Sequence, residues 1–123
     1  MKMIKLLFAM MVAFLATQSA NAQSDKTQRT IGTKTQFIKV SGLCNMDKQR
    51  IEGAAYSVAG VKSAKWNAST QVLTLKYNAF QKNAAEMVQK NIALAGNDTE
   101  KYKADDVTYQ NLPDCCHYQR HKS

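Results

Sequence analysis

The feature that most constrains this chain is the order in which two hydrophobic periods alternate along it. Thr35 to Val40 is β-rich, with Ile38 and Val40 on one face and Phe37 and Lys39 on the other. Met46 to Val58 places Ile51, Ala54, Ala55 and Val58 on one helical stripe, with Asn45 as a suitable N-cap. Val61–Asn67 and Gln71–Tyr77 read as two strands joined by Ala68-Ser69-Thr70. Trp66 is expected in the core or at a sheet edge. A second helix spans Ala84–Ala95, with its stripe on Ala85, Val88, Ile92 and Ala95; Asn83 stands before it and Gly96 after it. Thr99–Lys103 reads as a short last strand. Strand, helix, strand, strand, helix, strand predicts an α+β, ferredoxin-like βαββαβ sandwich. Its four antiparallel strands carry both helices on one face. That topology puts Cys44, Ser69 and Asn97 at one end.

The chain opens on a different pattern. Lys2 and Lys5 precede an apolar run from Leu6 to Ala16, and Ala20-Asn21-Ala22 is a small-x-small cleavage pattern. The run is 11 residues, against the roughly 20 a membrane-spanning helix needs. The expected organisation is a signal peptide at 1–22 and a flexible leader at 23–34. A domain at 35–103 and a cysteine-containing C-terminal extension at 104–123 follow. Four of the six methionines (Met1, Met3, Met10, Met11) leave with the signal, so methionine content is no guide to metal binding. The net charge is +8, but the basic residues form no block and do not alternate with aromatics. The reading is a solvated surface rather than a nucleic-acid site. Export, periplasmic or secreted, implies an oxidising compartment, where thiols pair or hold metal. Three cysteines, Cys44, Cys115 and Cys116, is an odd number, so one disulfide cannot satisfy them all.

Cys44 stands at a strand-to-helix turn, where the helix dipole and free N–H groups favour the thiolate, the form that binds soft metals. Val40-Ser41-Gly42-Leu43-Cys44-Asn45-Met46-Asp47 and the helix after it resemble the loop and first helix of heavy-metal-associated domains. That family includes copper chaperones, the metal-binding domains of copper-transporting ATPases and the periplasmic mercuric-transport protein. Val58-Ala59-Gly60-Val61, Val72 to Tyr77 and Ala95-Gly96-Asn97-Asp98 fit it too, over about residues 35 to 103. The tail from Asn111 to Tyr118 resembles an extension on exported bacterial members.

The resemblance places Cys44 at the first metal-ligand position and Asp47 at the second, where relatives carry another cysteine. Asp ligates zinc but is a poor partner for Cu(I) or Hg(II), and an acidic residue in a first helical turn stabilises the helix without metal. Asn97 falls where relatives often carry a bulkier residue. The thiols then have three readings. The first is a site of Cys44 with Cys115 and/or Cys116, joined by His117 or Asp47, for copper or zinc. The second is a disulfide from Cys44 to the tail; the third is a tail pair acting alone. Adjacent cysteines serve one ion only within a turn, which Pro113-Asp114 would supply. No catalytic constellation is present, so the expectation is a non-enzyme that carries or buffers a soft or borderline ion. Its partner would be a metal transporter or another metal-binding domain, with no organic cofactor, nucleic acid or membrane span. The alternative is a degenerate interaction module that has lost metal.

Overall fold

The structure is a computed structural model that describes residues 32–121. The expected signal peptide at 1–22, and the leader as far as Ile31, lie outside the described residues. The elements are β1 (Thr33–Lys39), α1 (Asn45–Tyr56), β2 (Val61–Asn67), β3 (Val72–Asn78), α2 (Ala84–Ala95) and a short α3 (Asp106–Gln110), followed by a 3₁₀ turn at Asp114–Cys116. The strands form an antiparallel sheet in the order β1-β3-β2. β1 begins two residues before the expected Thr35, because Thr33 and Lys34 pair with Asn78 and Tyr77.

Register sets the core. Ile38 and Trp66 both lie opposite Leu73, and Ala64 lies opposite Leu75, so one sheet face is a continuous apolar surface. α1 lays Ile51 and Ala55 on that face, and α2 lays Ala84, Ala85, Val88 and Ile92 there. Ala54 and Val58 pack at its margin. Phe37, on the opposite face of β1, is 67% exposed. The layout is the α+β, ferredoxin-like arrangement expected from the sequence.

The fourth strand is reduced to one bridge. Thr99 pairs with Val40, flanked by Ser41 N–H to the Asp98 carbonyl (2.9 Å) and Glu100 N–H to the Lys39 carbonyl (3.1 Å). This is the free edge of β1, where the fourth strand belongs. It does not propagate because Thr99 folds the segment back on itself. Its N–H donates to the Tyr102 carbonyl at 2.8 Å, and its hydroxyl accepts from Tyr102 N–H at 2.9 Å. Those groups would otherwise have continued the ladder.

The segment after Thr99 is fastened at the end of α2. Gly96, at φ 118°, closes α2 with Gly96 N–H to the Ala93 carbonyl and Asn97 N–H to the Ile92 carbonyl, a Schellman turn. A Cβ on Gly96 would come within 2.8 Å of Leu112, so the glycine is also what lets Leu112 seat there. Buried Tyr118 donates its hydroxyl to the Gly96 carbonyl (2.8 Å) and accepts from Asp98 N–H (2.9 Å). Arg120 grips the Asp98 carboxylate with both arms of its fork, Nε and Nη2 each at 2.9 Å, and reaches Asp106 and the Ala104 carbonyl. Tyr109 packs edge-on against Tyr118, under the Arg120 guanidinium. The extension is therefore part of the fold.

Burial works against the Asp98 charge, but hydrogen bonds from Arg120 and Ala104 N–H outweigh it and hold its pKa below the ordinary carboxylate value. A depressed folded-state pKa gives stability that is present above the unfolded value of about 3.9 and is lost as pH falls through the folded value. Urea unfolding across pH should show wild type more stable than Asp98→Asn by a constant margin above about pH 5, narrowing below about pH 4. A margin independent of pH would show that the Asp98 charge does not contribute.

Candidate metal centre

The site is built on the loop between β1 and α1. Trp66 forms its floor, donating its indole N–H to the Val40 carbonyl at 2.9 Å. A Cβ on Gly42 would fall 2.9 Å from the Trp66 ring, so only glycine lets the loop lie this close. Gln71, which turns the β2–β3 hairpin at φ 57°, reaches back to donate its amide to the Gly42 carbonyl at 3.0 Å.

α1 is capped by Cys44 rather than by the expected Asn45. Cys44 is the N-cap: its Sγ accepts from Asp47 N–H, while the Asp47 carboxylate reaches back to Cys44 N–H. This is a capping box in which Cys and Asp take the places usually held by Ser or Thr and Glu. Asp47 is fully buried, and both its oxygens are engaged. Oδ2 accepts from Leu43 N–H (2.8 Å) and Cys44 N–H (3.4 Å). Oδ1 accepts from Arg50 (2.7 Å) and from the Asn97 amide (2.9 Å). Asn97 also donates to the Ser41 carbonyl at 2.9 Å, joining the end of α2 to the loop.

The tail brings two more thiols to this turn. Pro113 leads into the 3₁₀ turn, closed by Cys116 N–H to the Pro113 carbonyl at 2.8 Å. The turn lets adjacent cysteines point the same way. Cys44 Sγ lies 3.1 Å from Cys116 Sγ and 3.6 Å from Cys115 Sγ, and the tail pair is 3.7 Å apart. All three thiols are free. Cys116 is buried against Leu112 and Tyr118, Cys44 is half-buried and Cys115 is exposed. Among the described residues, these sulfurs are the one group of three His, Cys, Asp or Glu ligand atoms gathered this closely. His117 stands apart: its ring packs on Tyr109, and Nε2 lies 3.3 Å from the Gln110 carbonyl.

The thiols differ in acidity. Burial opposes ionisation of Cys44, but hydrogen bonds involving Cys116, Asp47 N–H, Cys115 and Met46 N–H outweigh it and lower its pKa. Burial pushes Cys116 up to about 12; its bond to Cys44 adds to the rise and Arg50 opposes it. Cys44 therefore ionises before Cys116, and either sulfur can donate in their 3.1 Å contact. Arg50 Nη2, 3.6 Å from Cys116 Sγ, supplies positive charge beside the cluster.

Arg50 and Met46 had no assigned role in the sequence reading. The Asp47–Arg50 spacing of three along a helix is a readable ion-pair signal, and Cys-x-x-Asp has the spacing of a capping box. Contacts from Arg50 and Met46 to the tail bridge more than 60 residues and leave no local pattern.

No protein-family model matches this sequence, and no curated protein matches it. Two solved structures are similar. One is described as a CopZ metallochaperone, with 25% identity and a TM-score of 0.50 over 54% of this chain and 98% of that chain. The other is described as an NMR solution structure of a ZiaAN sub mutant, with 29% identity and a TM-score of 0.46 over 55% of this chain and 94% of that chain. The first shares the ferredoxin-like arrangement, so the chain has a heavy-metal-associated-like fold with a cysteine cluster at its first loop.

Asp47→Ala removes the acceptor for the Leu43 and Cys44 N–H groups, the Cys44 thiol and the Asn97 amide, and strands Arg50. Breaking such a buried pair costs about 3–5 kcal/mol, which urea unfolding would read directly. A loss under about 1 kcal/mol would mean that the loop does not depend on this carboxylate.

Proposed function

We propose that this protein is an exported metal-binding domain that carries or buffers copper or zinc through the thiolates of Cys44, Cys115 and Cys116. The observation that carries the reading is the triangle of sulfurs. Sides of 3.1, 3.6 and 3.7 Å put its centre about 2 Å from each sulfur, close to a metal–thiolate bond of about 2.3 Å. An ion about 1 Å out of the plane meets that length with no change in the triangle. The similarity to a metallochaperone supports the same reading.

The ion is cargo here. Cys44, whose pKa is lowered, is the natural first contact, and the tail thiols close on the ion as they lose their protons. Handover to a metal transporter or another metal-binding domain runs through exposed Cys115, with partner thiolates replacing these ligands one at a time. The half-exposed rim of Leu43 and Met46 gives such a partner apolar surface to rest on. Asp47, with both oxygens committed inward, organises the loop. His117 shapes the tail against Tyr109. No catalytic step is part of this reading, and no helix among the described residues is long and apolar enough to cross a membrane.

A disulfide between Cys44 and Cys116 is the second reading, favoured by their 3.1 Å contact. It would leave Cys115 free and close the site. Denaturing mass spectrometry of purified protein separates the two, since a disulfide removes two daltons and three thiols do not.

Metal titration tests the leading reading. Ser is a preferred N-cap, so Cys44→Ser keeps α1 while removing the thiolate. Cys44→Ser and the double variant Cys115→Ser/Cys116→Ser should each weaken Cu(I) or Zn(II) binding by about 100-fold or more, with unchanged circular dichroism. Wild-type affinity in both variants would overturn the reading.

A further inference from the structure

We propose that Met46 is a fourth donor to the cluster and that its thioether makes the site selective for Cu(I) over Zn(II). This rests on the three-thiolate reading and adds a ligand and a metal preference to it.

The three sulfurs have unlike surroundings. On the inner side, Cys116 is buried beside Leu112 and Tyr118, with the Arg50 guanidinium 3.6 Å from its sulfur. Apolar side chains and the guanidinium leave little room for a further ligand beside Cys116. Cys115 is the exposed thiol of the three, so a further ligand reaches the cluster at the open mouth beside it. Met46 Sδ is at that mouth, 3.6 Å from Cys115 Sγ, the same spacing that separates Cys44 from Cys115.

Its position is fixed by the same cap that presents Cys44. Met46 is the second residue of α1, held between the N-cap and Asp47. Its neighbours in the turn anchor the backbone, while its side chain remains 46% exposed. A methionine half in water at the edge of a thiol cluster gains little from burial. Its thioether sulfur is a soft donor 3.6 Å from Cys115 Sγ.

The donor set then discriminates. Thiolate and thioether sulfur suit Cu(I), whereas a thioether adds little for Zn(II), whose usual donors are thiolate, imidazole and carboxylate. Among the described residues, His117 is held on Tyr109 and Asp47 is engaged inward, so no nitrogen or oxygen ligand accompanies the trio. A neutral fourth donor also limits the negative charge that Arg50 must balance.

The test uses the full chain with Met46→Leu, which keeps the apolar volume. Cu(I) affinity is read by competition with a chromophoric Cu(I) chelator, and Zn(II) affinity by competition with a chromophoric zinc indicator. The expected result is a loss of about ten-fold for Cu(I) and a change of less than about two-fold for Zn(II). Copper-edge X-ray absorption on selenomethionine-labelled protein should show a copper–selenium path that disappears in Met46→Leu. Unchanged Cu(I) affinity with no copper–selenium path overturns the role of Met46, and leaves the three-thiolate reading standing if Cys44→Ser still loses the ion. If Cys44→Ser and Cys115→Ser/Cys116→Ser also bind as wild type does, the underlying site is wrong and this proposal falls with it.

Discussion

The buried carboxylate of Asp47 is the contact on which the cysteine-bearing end of the molecule depends. It takes N–H groups from Leu43 and Cys44, the guanidinium of Arg50 and the amide of Asn97. The donors come from the β1–α1 loop, from α1 itself and from Asn97, two residues beyond α2. A single negative charge thus fixes where Cys44 stands and how α1 begins. It also orients Arg50, whose second nitrogen lies against Cys116. An unpaired carboxylate in this position would be strongly destabilising; paired, it acts as the hub of a polar network. Asp47 thus supports thiols that arrive from both the loop and the tail.

The second requirement is that the tail stay docked. Two residues just past α2 receive it: Gly96, through its missing Cβ and its carbonyl, and Asp98, through its N–H and carboxylate. Tyr118 and Arg120 bond to these groups just after the cysteines, and Leu112 packs just before them. The 3₁₀ turn between is therefore held at both ends over the start of α1. Its geometry turns two adjacent thiols toward one point, which an extended chain would not do. Function in this reading depends on a long-range closure, with sequence separations of 71 and 72 between the sulfurs that meet.

Much of the fold was legible because its signals are local. The stripes Ile51/Ala55 and Val88/Ile92, and the alternation of Leu73, Leu75 and Tyr77, each repeat within a few residues and do face the core. The boundaries were less legible. Cys44 rather than Asn45 caps α1, because a thiol is an uncommon cap and the Asp at N3 completes the box. The last strand shrank to one bridge because the Thr99 hydroxyl competes for the backbone. Of the site residues, Cys44 was visible from its turn and the tail pair from its spacing. Geometry allowed their meeting without requiring it. What would make the tail return, the bonds of Tyr118 and Arg120 to Asp98, spans 20 and 22 residues and has no sequence period. Met46 was hidden differently: counting methionines over the chain obscured the one placed beside a thiol.

The central claim is that one ion engages Cys44 and the tail together. The most direct measurement is NMR of protein labelled with ¹³C at cysteine, titrated with Cu(I) or Zn(II) under reducing conditions. The account predicts that the Cβ resonances of Cys44, Cys115 and Cys116 move in unison and stop moving at one equivalent. Movement of the Cys115 and Cys116 signals alone, with Cys44 unchanged at saturation, would contradict it.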